Sequence, residues 1–143
     1  MTAKDVISFF YEDTSVPEMN EKIARVWIKN VIEKEGFSVS IIQFIFCLDS
    51  QLIALNKQYL NHDTFTDIIT FNYNDEFDGL AGDIFISYER VKENALEYGV
   101  TIVHELHRVI IHGILHLLGY DDKEEDDFRE MRAKENYYLN LLS

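Results

Sequence analysis

The sequence is poor in the residues that staple, hinge or interrupt a chain. One cysteine among 143 residues leaves no partner for an internal disulfide. Cys47 lies in an apolar run and reads as a buried thiol. The N-terminus (Met1-Thr2-Ala3-Lys4-Asp5) lacks the basic and apolar regions of a signal peptide. A lone cysteine behind such a start fits a reducing, cytoplasmic setting. With one proline and six glycines, no linker or low-complexity stretch stands out. There is no internal repeat, and no apolar run reaches the length of a membrane span, so no membrane partner is expected. Basic residues are scarce as well. Lys and Arg number 13 against 26 Asp and Glu, for a net charge of −13. That balance argues against nucleic-acid binding through a broad basic face. Part of the acidity is local, since residues 121–127 are acidic at every position but Lys123. Such a run reads first as a solvated helix start, where carboxylates complement the helix dipole.

What is present suits one domain spanning residues 1–143 with a sizeable core. Residues 6–12 and 38–48 read as strands, the second rich in β-branched and aromatic side chains. Between them, residues 17–35 read as an amphipathic helix with Ile23, Val26, Trp27, Val31 and Ile32 inward and Gly36 ending it. A short helix over residues 50–59 precedes strands near 67–73 and 81–87. Helices over 88–98, about 102–118 and 124–142 complete the chain. Strands interleaved with helices predict an α+β fold, one small mixed sheet packed by about five helices. Phe9, Phe10, Phe44, Phe46, Phe71 and Phe85 fit core positions on strands better than a base-stacking platform.

The densest chemistry lies in His112-Gly113-Ile114-Leu115-His116-Leu117-Leu118-Gly119-Tyr120-Asp121-Asp122. Ile102, Leu106, Val109, Ile110, Ile114 and Leu117 recur at three- and four-residue spacing, which predicts a buried helix. Thr101 is its expected N-cap and Gly119 the left-handed residue that ends it. Residues four apart share a helix face, so His112 and His116 are placed to grip one metal ion from consecutive turns. Past Gly119 the chain can double back, and by spacing Asp122 is the expected third ligand, with Asp121 its neighbour. The bland reading is a pair of core histidines, but burying two imidazoles without partners is costly. In His-Glu-x-x-His zinc proteases a glutamate follows the first histidine as general base. Here that position is Gly113, which speaks against peptide hydrolysis. Gly113 is expected instead to leave space beside the metal for a bulky substrate.

The run resembles the signature of the YbeY family, the bacterial endoribonucleases of ribosomal RNA maturation and quality control. Two further blocks are similar to family segments: Leu55-Asn56, Tyr59 and Thr66-Asp67-Ile68-Ile69-Thr70-Phe71, then Gly82-Asp83-Ile84-Phe85-Ile86-Ser87. Asp122 stands where the family usually has a third histidine. An anionic ligand removes one unit of the metal's charge, so bound water should be less acidified than in a three-histidine site. Leu60 stands where many members have an arginine linked to catalysis, and a leucine cannot pair with a phosphate.

The resemblance implies a single-strand-specific, metal-dependent endoribonuclease acting in 16S rRNA maturation and ribosome quality control. It implies one Zn2+ per chain, a ribosomal RNA precursor as substrate, and partners among small-subunit ribosomal proteins or an assembly GTPase. His112 is assigned a catalytic role beside its ligation. Arg108, His62 and Lys57 are candidates for substrate contact, although a salt bridge with Glu105 competes for Arg108 and a turn for His62 and Asp63. His104 and His107 are expected to be exposed or capping. Two alternatives stand beside this reading: a ribosome-assembly factor whose metal is structural, and a metallopeptidase.

Overall fold

The computed structural model describes residues 6–60 and 67–142, the side chains of residues 59 and 60 excepted. Among them are β1 (Val6–Tyr11), α1 (Glu21–Lys34), β2 (Val39–Cys47), α2 (Asp49–Leu60), β3 (Ile68–Asn72), β4 (Leu80–Ser87), α3 (Tyr88–Tyr98), α4 (Ile102–Leu117) and α5 (Glu125–Leu142). The expected α+β class holds: one mixed four-stranded sheet with five helices. No helix among the described residues is long and apolar enough to cross a membrane.

The strand order is β1-β2-β4-β3. β1, β2 and β4 run parallel, and β3 lies antiparallel against β4. Parallel neighbours need a crossover connection. α1 makes the first, and α2 with β3 lies within the second. The β3–β4 joint is braced by Asn74. Its Oδ1 accepts the Ala81 N–H at 2.7 Å, and its amide donates to the Leu117 carbonyl at 3.0 Å. The joint is thereby fastened to the last turn of α4.

Period-two alternation divides the sheet into two faces. Ile7, Phe9, Ile42, Phe44, Ile84 and Ile86 share the main core with side chains of α1, α4 and α5. On the other face, Leu52 of α2 packs with Cys47 and Ile69, next to Phe71 and Phe85. Cys47 is a buried free thiol, as expected. Phe10 is a correction: it alternates away from the main core and is 45% exposed.

α1 starts later than residue 17 because Asn20 is its cap, accepting the Ile23 N–H at 3.1 Å. Its buried positions are Ala24, Trp27, Ile28, Val31 and Ile32, a stripe at helical spacing. Ile23 and Val26, expected inward, flank that stripe and are exposed.

Thr101 caps α4 as expected, its hydroxyl accepting the His104 N–H at 3.0 Å. Leu106, Val109, Ile110, Gly113, Ile114 and Leu117 are the buried stripe of α4. A Cβ at Gly113 would stand 2.9 Å from Ile68 Cδ1 and 3.0 Å from Ile84 Cγ2. The expected room for substrate beside Gly113 is therefore absent. One residue is about 100° of helix, so Gly113 turns from the His112 face onto the sheet. Gly82 makes the matching concession on β4. A Cβ there would stand 2.6 Å from the Phe71 carbonyl oxygen and 2.7 Å from Leu117 Cδ2.

Candidate metal centre

The centre is made by how α4 ends. Gly119 takes φ +108°, a conformation that strains any residue with a Cβ. Its N–H bonds the His116 carbonyl at 3.1 Å, and the Tyr120 N–H bonds the Leu115 carbonyl at 3.0 Å. These paired bonds form a Schellman turn, which satisfies two carbonyls left open at a helix end. The chain reverses and brings residue 122 back beside His116. Asp121 helps shape the return, its Oδ1 accepting the Asp122 N–H at 2.8 Å.

Tyr120 anchors this turn to the rest of the molecule. Its hydroxyl donates to Glu35 Oε1 at 2.6 Å. Glu35 also accepts from Lys134 Nζ at 3.1 Å and from the Tyr138 hydroxyl. Burial alone would raise the Glu35 carboxyl. The bonds from Tyr120, Tyr138 and Lys134 outweigh it and hold the group below the ordinary carboxylate range. Trp27 Nε1 donates to the Tyr138 carbonyl at 2.9 Å, so the turn, α1 and α5 are tied together.

Three donor atoms converge at the turn. His112 Nε2 and His116 Nε2 are 3.1 Å apart. Asp122 Oδ2 lies 3.4 Å from the first and 3.5 Å from the second. Ligand atoms about 2.0–2.2 Å from a tetrahedral ion stand about 3.3–3.6 Å from one another. The two edges to Asp122 fall in that range and the histidine pair stands slightly closer, and the chemistry, two imidazoles and one carboxylate, suits zinc or a similar divalent ion. His116 is held neutral: burial lowers its basicity and the nearby His112 lowers it further, against the pull of Asp122. Its lone pair is thus free to ligate at neutral pH. The carboxyl end of α4 adds a mild attraction for a cation.

Behind His112 lies a residue that the sequence reading missed. Glu135 of α5, its side chain 2% exposed, places Oε2 at 2.7 Å from His112 Nδ1. Its other oxygen lies 3.4 Å from Arg108 Nη1. Arg108 in turn donates Nε to Glu105 Oε1 at 2.9 Å, and a second bond joins the same two groups. Burial would raise the Glu135 carboxyl, but the bond with His112 and the charges of His112, Arg108 and Arg132 keep it lowered. Met131, Glu135 and Tyr138 are the buried residues of α5. An acid standing at helical spacing in an otherwise apolar stripe was the signal available.

The remaining candidates are placed as follows. Arg108 follows the competing reading rather than substrate contact: its guanidinium turns inward to Glu105 and Glu135, and its side chain is 14% exposed. The competing salt bridge with Glu105 won because both partners lie one turn apart under α5. Lys57 is exposed on α2. His62 and Asp63 lie outside the described residues, as does any account of the Leu60 side chain. His104 is exposed in the first turn of α4. His107 is neither exposed nor capping; it packs edge-on against Trp27, ring centroids 5.5 Å apart. Burial lowers its basicity. The acidic run divides as expected: Asp122 joins the histidines, while Glu125, Asp126 and Asp127 form the first turn of α5.

Comparison with known proteins assigns the chain to a family. A family model described as Endoribonuclease YbeY matches residues 6–143. The Endoribonuclease YbeY of Flavobacterium psychrophilum is 47% identical over 138 residues, covering 96% of both chains. That of Cytophaga hutchinsonii is 43% identical over 138 residues, again covering 96% of both. Among solved structures, the solution structure of TM1509 from Thermotoga maritima superposes with a TM-score of 0.67 at 28% identity, covering 95% of this chain and 88% of that one. With a match along nearly its whole length and relatives this similar, the chain belongs to the YbeY family of endoribonucleases.

Proposed function

We propose that this chain is a metal-dependent endoribonuclease that hydrolyses single-stranded RNA in ribosomal RNA precursors, with His112, His116 and Asp122 holding one zinc ion. The observation that carries the reading is the convergence of the three donor atoms within 4.8 Å of one another across the Gly119 turn. A zinc ion so held supplies Lewis acidity toward a phosphodiester oxygen and lowers the pKa of bound water. The chain's own residues do the rest. Asp122 contributes negative charge, His116 stays neutral through burial, and Glu135 holds the far nitrogen of His112. Because Arg108 is turned inward, phosphate contacts fall to other cations, and Lys57 is a candidate. The relatives' shared name supports RNA as the substrate. The ribosomal precursor, and a small-subunit protein or assembly GTPase as partner, follow from the family resemblance. A docking partner would also offset the net charge of −13.

The test is incubation of the purified chain with a single-stranded RNA oligomer, with zinc and with a chelator. Cleavage is expected with zinc, lost on chelation and lost in His116→Ala. Equal cleavage in all three would overturn the metal-dependent reading. No cleavage with any divalent ion would turn the reading toward an assembly factor with a structural metal. A metallopeptidase has no support from the fold, since position 113 faces the sheet and carries no base.

A further inference from the structure

The cluster beneath His112 sets two buried carboxylates, Glu105 and Glu135, around Arg108, with Arg132 reaching Glu135 from the rim. Arg108 is the cation at its centre, and Glu105, 1% exposed, already neutralises it through two hydrogen bonds. Glu135 is a second buried carboxylate beside the same guanidinium. Burying an extra carboxylate is expensive unless it gains further bonds. Its shorter bond is not to Arg108. Oε2 meets His112 Nδ1 at 2.7 Å, while Oε1 stands 3.4 Å from Arg108 Nη1 and 3.8 Å from Arg132 Nε.

An ionised carboxylate can only accept, so the proton of a neutral His112 sits on Nδ1. The ring lone pair is then on Nε2, the atom that faces His116 and Asp122. We infer that Glu135 is the positioning residue of this centre: steadied by Arg108, it fixes the tautomer and ring angle of His112 so that Nε2 points at the cation. The inference rests on the metal reading above and adds to it a partner from a different helix. Carboxylates that hold a ligating histidine typically change metal affinity about 10- to 100-fold when mutated. Arg108 thereby acts on the centre through Glu135.

The experiment uses the full chain and zinc alone. Zinc affinity is measured by competition with a chromogenic chelator for wild type, Glu135→Gln and Glu135→Asp. The ring nitrogens of His112 are read by NMR in the metal-free proteins. Glu135→Gln keeps the shape and loses the charge. Glu135→Asp keeps the charge beside Arg108 and withdraws the oxygen from His112. We expect both variants to bind zinc about 10-fold or more weakly, and His112 to lose its single Nδ1–H form in Glu135→Asp, where no oxygen is left in reach to accept that proton. A carboxylate that only satisfied Arg108 would leave Glu135→Asp with wild-type zinc affinity and an unchanged His112 tautomer, and that result overturns the inference. Should wild type bind no zinc, the metal reading fails by itself. The NMR arm then decides whether Glu135 governs the His112 ring, a mixed tautomer in Glu135→Asp supporting it and an unchanged one refuting it.

Discussion

Replacing Gly82 by alanine tests how α4 is seated, and with it the placement of the centre. The added Cβ would stand 2.6 Å from the Phe71 carbonyl oxygen and 2.7 and 3.1 Å from the two Leu117 methyls. Ordinary carbon contacts lie near 3.5–4.0 Å, so the nearer methyl is overrun by roughly 0.8 Å. The Leu117 methyls are side-chain ends and can shift, so the cost falls on the backbone contact. The Phe71 carbonyl belongs to the β3–β4 pair and cannot yield without opening it. Overpacking of this kind costs about 1–3 kcal/mol, and a backbone neighbour places this case in the upper half. Removing a flexible glycine from a strand returns about 0.5–1 kcal/mol. The net loss is about 1–2 kcal/mol, or a fall in Tm of roughly 4–8 °C for a chain of this size. The assay is thermal unfolding followed by circular dichroism on metal-free protein. Gly113→Ala is the comparison. Its nearest neighbours are the side-chain ends of Ile68 and Ile84, which can shift, and a helix gains about 1 kcal/mol from the exchange. It should therefore melt closer to wild type. A Gly82→Ala protein that melts at or above wild type, or a Gly113→Ala protein that is the worse of the two, would refute the packing argument.

Three further outcomes are expected. Asp122→Asn should retain zinc more weakly than wild type and more strongly than His116→Ala, because an amide oxygen is a poorer ligand that keeps its shape; elemental analysis across a zinc titration ranks them. Glu35 has a lowered folded pKa, so its stabilising share is complete above the ordinary carboxylate value of about 4.3 and is lost as pH falls through the lower folded value. The Tm advantage of wild type over Glu35→Gln should accordingly shrink as pH falls below the ordinary carboxylate value of about 4.3, and an advantage constant with pH counts against the network. Leu60→Arg restores the residue usual in the family and should raise RNA cleavage, most at low salt where a new phosphate contact is least screened, whereas Leu60→Ala should leave turnover unchanged.

The centre was largely legible in the sequence because its parts are local. A four-residue histidine pair, a helix-ending glycine and an acid six residues on are all set by the geometry of one helix and one turn. The strands were legible for the same reason, since alternation needs only near neighbours. What escaped was what α5 and the sheet impose. Glu135 reaches His112 across 23 residues of chain, and nothing in either segment's own pattern specifies that pairing. For Arg108 the salt bridge with Glu105 was legible as its favoured partner, but not that Glu135 of α5 would join it. Gly113 looked like space beside a metal because the facing strands, with Ile68 and Ile84, are invisible to a helical wheel. Ile23 and Val26 were misread because they border the stripe that Ala24, Trp27, Ile28, Val31 and Ile32 turn inward, and the sequence does not mark that stripe's edge.

The dependence of the centre on the final helix has a consequence for a chain still being made. His112, His116 and Asp122 have all been synthesised before the first residue of α5. Yet the groups that hold the His112 ring and fasten the Tyr120 turn, Glu135, Lys134 and Tyr138, leave the ribosome after all three ligands. Until they arrive, Glu35 has lost two of its three donors and His112 its partner. An unfinished copy would thus carry every metal ligand without the means to aim them. For an enzyme proposed to cut RNA, and born beside ribosomal RNA, synthesis of α5 becomes a condition of activity. Chains stopped just before Glu125 should hold zinc no better than His116→Ala, and a truncated chain with wild-type affinity would contradict this.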